Sequence, residues 1–238
     1  MTPITNLMRR NRSLRKHLLA GAGLTLLAAA PVAAQKSPDL TPYLMASRDA
    51  EVALARSAAP ASISGAAAVL VLTRDGFVEA AHGSNGFTCL VARSFNARVG
   101  DPDFWRPQVR APHCLNPQAS RSVLPEMKKR EEWIMSGVSP SQIAARTRHA
   151  YAAHQFPMPE AGAMAYMLSP QQHLSEANPH WMPHLMFYFD RSMSASEWGA
   201  GGMSAPVING SADDPSSPVL TLLVPVRQWS DGTTAMGR

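Results

Sequence analysis

Residues 67–73, Ala-Ala-Val-Leu-Val-Leu-Thr, are apolar at every position but the last, and Arg74-Asp75-Gly76 follows at once. A short run that is apolar on both of its alternating faces has to be covered from two sides, so it predicts a central strand rather than a half-solvated one. Asp-Gly supplies the positive backbone angles that a tight hairpin needs, which returns residues 77–82 as a second strand. Gly83-Ser84-Asn85-Gly86 turns the chain again into a third strand over 87–93. The succession predicts a three-strand antiparallel meander.

The rest of the chain adds helices and then more strands. Thr41-Pro42 opens a helix expected to run to Ser57. Asn116-Pro117 opens another through about Ser136, bent near Pro125 and ended by Gly137. Ser139-Pro140-Ser141-Gln142 joins a cap, a first-position Pro and a Gln three residues later, a capping box for a helix to about His154. Between them, Pro102, Pro107, Pro112 and Pro117 predict a long irregular loop over 100–117, fastened by Phe104, Trp105 and Cys114. Strands are expected at 162–168, 184–190 and 219–224, linked by long loops rich in Pro, Gly and Ser. The order predicts an α+β domain, with an N-terminal helix and a mainly antiparallel sheet of about six strands.

The first 34 residues belong to a different category. Five basic residues (Arg9, Arg10, Arg12, Arg15 and Lys16) precede an apolar run over 18–30, and small residues lead to Val32-Ala33-Ala34. That is the three-part form of an export signal cleaved after Ala34, leaving 35–238 as a single domain. Its apolar run is shorter than the ~20 residues needed to span a bilayer, so no stable membrane span is expected after cleavage. Subtracting the five from the 22 basic residues leaves 17 against 17 acidic ones. The basic balance of the whole chain is then a property of the signal, and nucleic acid is not expected as a partner. In an exported chain the two cysteines, Cys89 and Cys114, are most simply a disulfide.

Candidate chemistry concentrates at His180-Trp181-Met182-Pro183-His184-Leu185-Met186, where imidazoles and thioethers alternate. That donor set suits copper, especially Cu(I), better than zinc or calcium. Pro183 divides the stretch, because it cannot donate to a strand ladder and holds Met182 extended. His180 and Met182 fall in a loop half, His184 and Met186 in a strand half. His113 could ligate only if its neighbour Cys114 were free, and His149 and His154 lie five apart, off the spacing that metal-binding helices use. No H-E-x-x-H, C-x-x-C or G-x-S-x-G occurs, so no catalytic motif is recognised. Trp105, Trp181 and Trp198 fall on expected loops, where they can line a ligand pocket or pin the loops to the core.

The segments Ala53-Leu54-Ala55-Arg56-Ser57-Ala58-Ala59-Pro60, Gly83-Ser84-Asn85-Gly86-Phe87-Thr88-Cys89-Leu90-Val91, His184-Leu185-Met186-Phe187 and Trp229-Ser230-Asp231-Gly232 resemble those of a family of uncharacterised exported bacterial proteins. The resemblance implies export to the periplasm or outside the cell and carries over no activity and no cofactor. The expected function is a non-catalytic module that binds a small ligand or associates with the envelope. A copper-binding protein using the 180–186 stretch, and a hydrolase with a site assembled across loops, are the alternatives.

Overall fold

The computed structural model describes residues 39–211 and 217–235, within one compact unit spanning Gln35–Arg238. The expected export signal, 1–34, lies outside the described residues. Among the described residues the α+β class holds. Eight strands make one sheet: β1 (Ala68–Thr73), β2 (Gly76–Ala81), β3 (Thr88–Ala92), β4 (Ala111–Leu115), β5 (Met164–Met167), β6 (His184–Asp190), β7 (Ile208–Asn209) and β8 (Val219–Pro225). Their spatial order is β2-β1-β3-β4-β5-β6-β8-β7. Five α-helices accompany them: α1 (Arg48–Arg56), α2 (Ala61–Ser64), α3 (Pro117–Ser122), α4 (Leu124–Met135) and α5 (Pro140–Ala152).

The meander expected for β1 to β3 does not form. β1 and β2 pair antiparallel across the Asp75-Gly76 turn, but β3 lies on the other side of β1 and runs parallel to it. The 82–87 connection crosses the start of β1, tied by Ser84 N–H to the Ala66 carbonyl at 2.8 Å and Ala68 N–H to the Phe87 carbonyl at 2.9 Å. Gly83 makes the crossing possible, since a Cβ there would sit 2.1 Å from the Ala68 nitrogen. The remaining neighbours, β3 to β8, pair antiparallel.

The expected loop over 100–117 contains β4, in the middle of the sheet. Pro112 is tolerated because it faces Val91 of β3 where β5 has not yet joined, β5 meeting β4 only at Cys114 and Leu115. A missing N–H there interrupts no ladder on that side. The helix expected over 41–57 is a 3-10 turn at Thr41–Tyr43 and then α1. Tyr43 is drawn into the core, its hydroxyl donating to the Trp105 carbonyl at 2.9 Å, and Ser47 provides the cap, its Oγ accepting from Ala50 N–H at 3.1 Å. The bend expected near Pro125 is a full break at Val123, which puts Pro125 in the first turn of α4. The capping box at Ser139 forms as expected.

Strand alternation sorts the core into two layers. One face carries Val69, Cys89, Val91 and Cys114 against Leu54 and Ala55 of α1, and holds the Cys89–Cys114 disulfide, bridging directly opposed residues of β3 and β4. The other carries Leu70, Leu90, Ala92, Leu115, Ala165 and Tyr188 against residues of α3 to α5 such as Ala119, Ala150 and Tyr151. A buried ion pair joins α1 to the sheet. Glu51 Oε1 accepts from Arg93 Nη2 at 2.7 Å and from Leu72 N–H at 3.0 Å, while Arg93 Nε donates to the Tyr43 carbonyl at 2.7 Å.

Candidate functional site

On the face shared with α4, the sheet from β4 to β8 floors a cavity of about 470 Å³. Its walls come from the segment after β3 (Ser94, Arg98), from Met127 and Arg130 of α4, from Trp181 and from Ser211 and Ser217. Three residues cross the floor in one row. Cys114 faces Tyr166 at the end of the β4–β5 pairing, His113 and Met167 are the next residues beyond that end, and Met167 in turn faces His184 in the β5–β6 pairing. All three line the cavity, with Met186 one strand pleat further along β6.

The two histidines are built alike. Each follows a proline near the start of its strand, and each gives its Nδ1 to the backbone carbonyl two residues earlier: His113 to Ala111 at 2.8 Å and His184 to Met182 at 3.0 Å. A carbonyl can only accept, so Nδ1 carries the proton and Nε2 is a bare acceptor. Neither Nε2 has a hydrogen-bond partner among the described residues. His113 is 8% exposed and His184 2%. Burial pushes the His184 imidazole down to about 4, against the pull of the Met182 carbonyl and with a further push from His113. Burial likewise lowers His113, opposed by the Ala111 carbonyl. Both are neutral at physiological pH. The Trp181 ring lies against His184 with centroids 4.6 Å apart.

Several other polar groups of the cavity are already engaged. Tyr188 hydroxyl donates to Met186 Sδ at 3.6 Å, and Arg130 donates to the Ala97 carbonyl at 2.7 Å and sits 3.4 Å from Glu126. The serines serve the backbone: Ser94 donates to the Phe104 carbonyl at 2.8 Å, and Ser211 Oγ accepts from Thr221 N–H at 2.8 Å. No serine hydroxyl is paired with His113 or His184, and both cysteines are bridged. Neither imidazole of this cavity is therefore paired with a nucleophile.

Of the residues singled out in the sequence, His184, Met186 and Trp181 line this cavity. His180 and Met182 do not; both are exposed, Met182 at 40%, on the loop side of Pro183. Trp105 packs edge-on against Phe104 at 4.9 Å and pins its loop. Trp198 is 49% exposed and rests on Phe189, whose strand position is on the opposite face from His184. His113 and Met167 were not singled out as a pair. The bridge at Cys114 does not remove His113 from the cavity, because consecutive strand residues point to opposite faces.

Among the described residues no group of three or more His, Cys, Asp or Glu is placed to hold a metal ion. No family model, no curated protein and no solved structure matches the chain.

Proposed function

We propose that the protein is an exported, non-catalytic binding module whose ligand is a small molecule or ion held in the cavity over β4 to β8. The observation that carries this reading is the pair of buried neutral imidazoles presenting unpartnered Nε2 atoms to a largely apolar space. Binding sites have this composition: an apolar concavity of ~300–1,000 Å³ with a few convergent polar groups. Unpartnered acceptors facing a cavity are available to a ligand that donates to them or is coordinated by them. The export signal and the disulfide support a periplasmic or extracellular setting.

The test is binding of the apolar anionic dye 1-anilinonaphthalene-8-sulfonate to purified protein, alongside extraction of the protein isolated from its native host for co-purifying compounds. Saturable one-to-one binding, lost in Ala111→Trp, which fills the cavity from its floor, is the expected result. Absence of both a co-purifying compound and saturable dye binding in a folded protein overturns the proposal.

A further inference from the structure

We propose that the row His113–Met167–His184 is a binding site for Cu(I), with His113 Nε2, His184 Nε2 and the Met167 thioether as ligands. It deepens the use of the cavity as a ligand site and rests on that reading. Adjacent strands lie ~4.8 Å apart, so the two histidine backbones are separated by roughly 10 Å across β5, and a Cu(I) ion held between them draws both imidazoles inward over the Met167 thioether. Each ring is fixed by its Nδ1–carbonyl bond, the outer arrangement that orients metal-binding histidines and sets the tautomer.

The donor set chooses the metal. Two imidazoles and a thioether, with no thiolate and no carboxylate in the row, are soft, neutral ligands that favour Cu(I) over zinc, calcium or magnesium. A neutral site in an apolar cavity also accepts one positive charge more cheaply than two. Met186, whose Sδ already accepts from Tyr188 hydroxyl at 3.6 Å, is held back from the role Met167 fills. His180 and Met182, exposed beyond Pro183, take no part.

The experiment is an anaerobic titration of purified protein with Cu(I) supplied as its acetonitrile complex, competed by a chromogenic Cu(I) chelator. No reductant is added, so the Cys89–Cys114 bridge stays closed and contributes no thiols. The expected result is one equivalent bound, with at least ~10-fold weaker binding in His113→Ala, His184→Ala and Met167→Leu, and X-ray absorption showing nitrogen and sulfur neighbours. Met182→Leu and His180→Ala bind as the parent does. Met167→Leu preserves the packing volume, which separates loss of a ligand from loss of fold, and circular dichroism of each variant reports the fold. Less than a tenth of an equivalent bound, or unchanged affinity in His113→Ala, overturns the site. If Cu(I) fails while the dye still binds and Ala111→Trp still blocks it, the metal is wrong and the ligand cavity stands; if both fail, the cavity reading falls too.

Discussion

Glu131 sits in α4 with 1% of its surface exposed. One oxygen accepts from Asn96 Nδ2 at 3.0 Å; the other has no partner among the described residues. The nearby cation, Arg93, spends its N–H groups on Glu51 and on the Tyr43 and Val91 carbonyls. One guanidinium cannot neutralise two carboxylates, so Glu131 is the one that holds its proton. Burial pushes it up to about 7, with Arg93 and Asn96 pulling the other way and Glu51 adding to the push. Against an ordinary value of 4.5, that displacement is worth about 3 kcal/mol at ~1.4 kcal/mol per unit.

The sign follows from proton counting. Between pH 4.5 and about 7 the native state keeps a proton that the unfolded chain has lost, so Glu131 erodes stability as pH rises through that window and levels off above it. Glu131→Gln cannot ionise. Its amide leaves N–H groups facing the unpartnered position, a cost of ~1–3 kcal/mol that does not depend on pH. Urea denaturation of parent and variant at pH 4.5 and pH 8 cancels that constant cost. The variant should gain about 3 kcal/mol on the parent between the two pH values. Parallel stability profiles, or a variant that loses ground as pH rises, would refute the assignment of a buried neutral carboxyl.

Three further outcomes follow from the packing. Arg93→Met strands the Glu51 carboxylate in the core and should cost ~3–5 kcal/mol in urea denaturation, while adding Glu51→Met should recover part of the loss; a double variant weaker than Arg93→Met would show that the pair is not the source. Gly83→Ala forces a Cβ into backbone at 2.1 Å where the β2–β3 connection crosses β1, so it should lose ~3 kcal/mol, and a neutral result would remove the crossing. Replacing Cys89 and Cys114 together by alanine should lower stability by roughly 3 kcal/mol, and unfolded, unreduced parent protein should show no thiol reactive to an alkylating agent.

Sequence pattern was sufficient where local rules and tertiary placement agree. The strand at His184–Asp190, the cap at Asn116 and the box at Ser139 appear where their residues put them. It failed where tertiary pairing overrode a local signal. Short turns between β1, β2 and β3 imply a meander, yet Gly83 lets a connection cross β1, and no local rule distinguishes a turning glycine from one needed for close approach. Four prolines implied a loop over 100–117, yet a proline in a strand is harmful only where an N–H would have met a neighbour. Pro112 sits where β5 has not yet joined, a fact that belongs to the sheet and not to the segment.

The alternation in His180-Trp181-Met182-Pro183-His184-Leu185-Met186 drew attention to one segment, whereas the arrangement it belongs to runs across three. Ligands along a single strand recur at every second residue, but Pro183 ends the strand and leaves half of that series in solvent. Ligands across a sheet come instead from neighbouring strands in register, and their sequence positions share no spacing. What they do share here is a local device: His113 and His184 each follow a proline near a strand's start, and each has its Nδ1 on the carbonyl two residues before it. The proline contributes no N–H and a fixed φ at both places. Pro179-His180 carries the same dipeptide in a loop and stays exposed, which shows that the pair of residues alone does not make the site. The proposed site also needs the sheet to bring two such strands to either side of Met167, with all three residues lining one cavity.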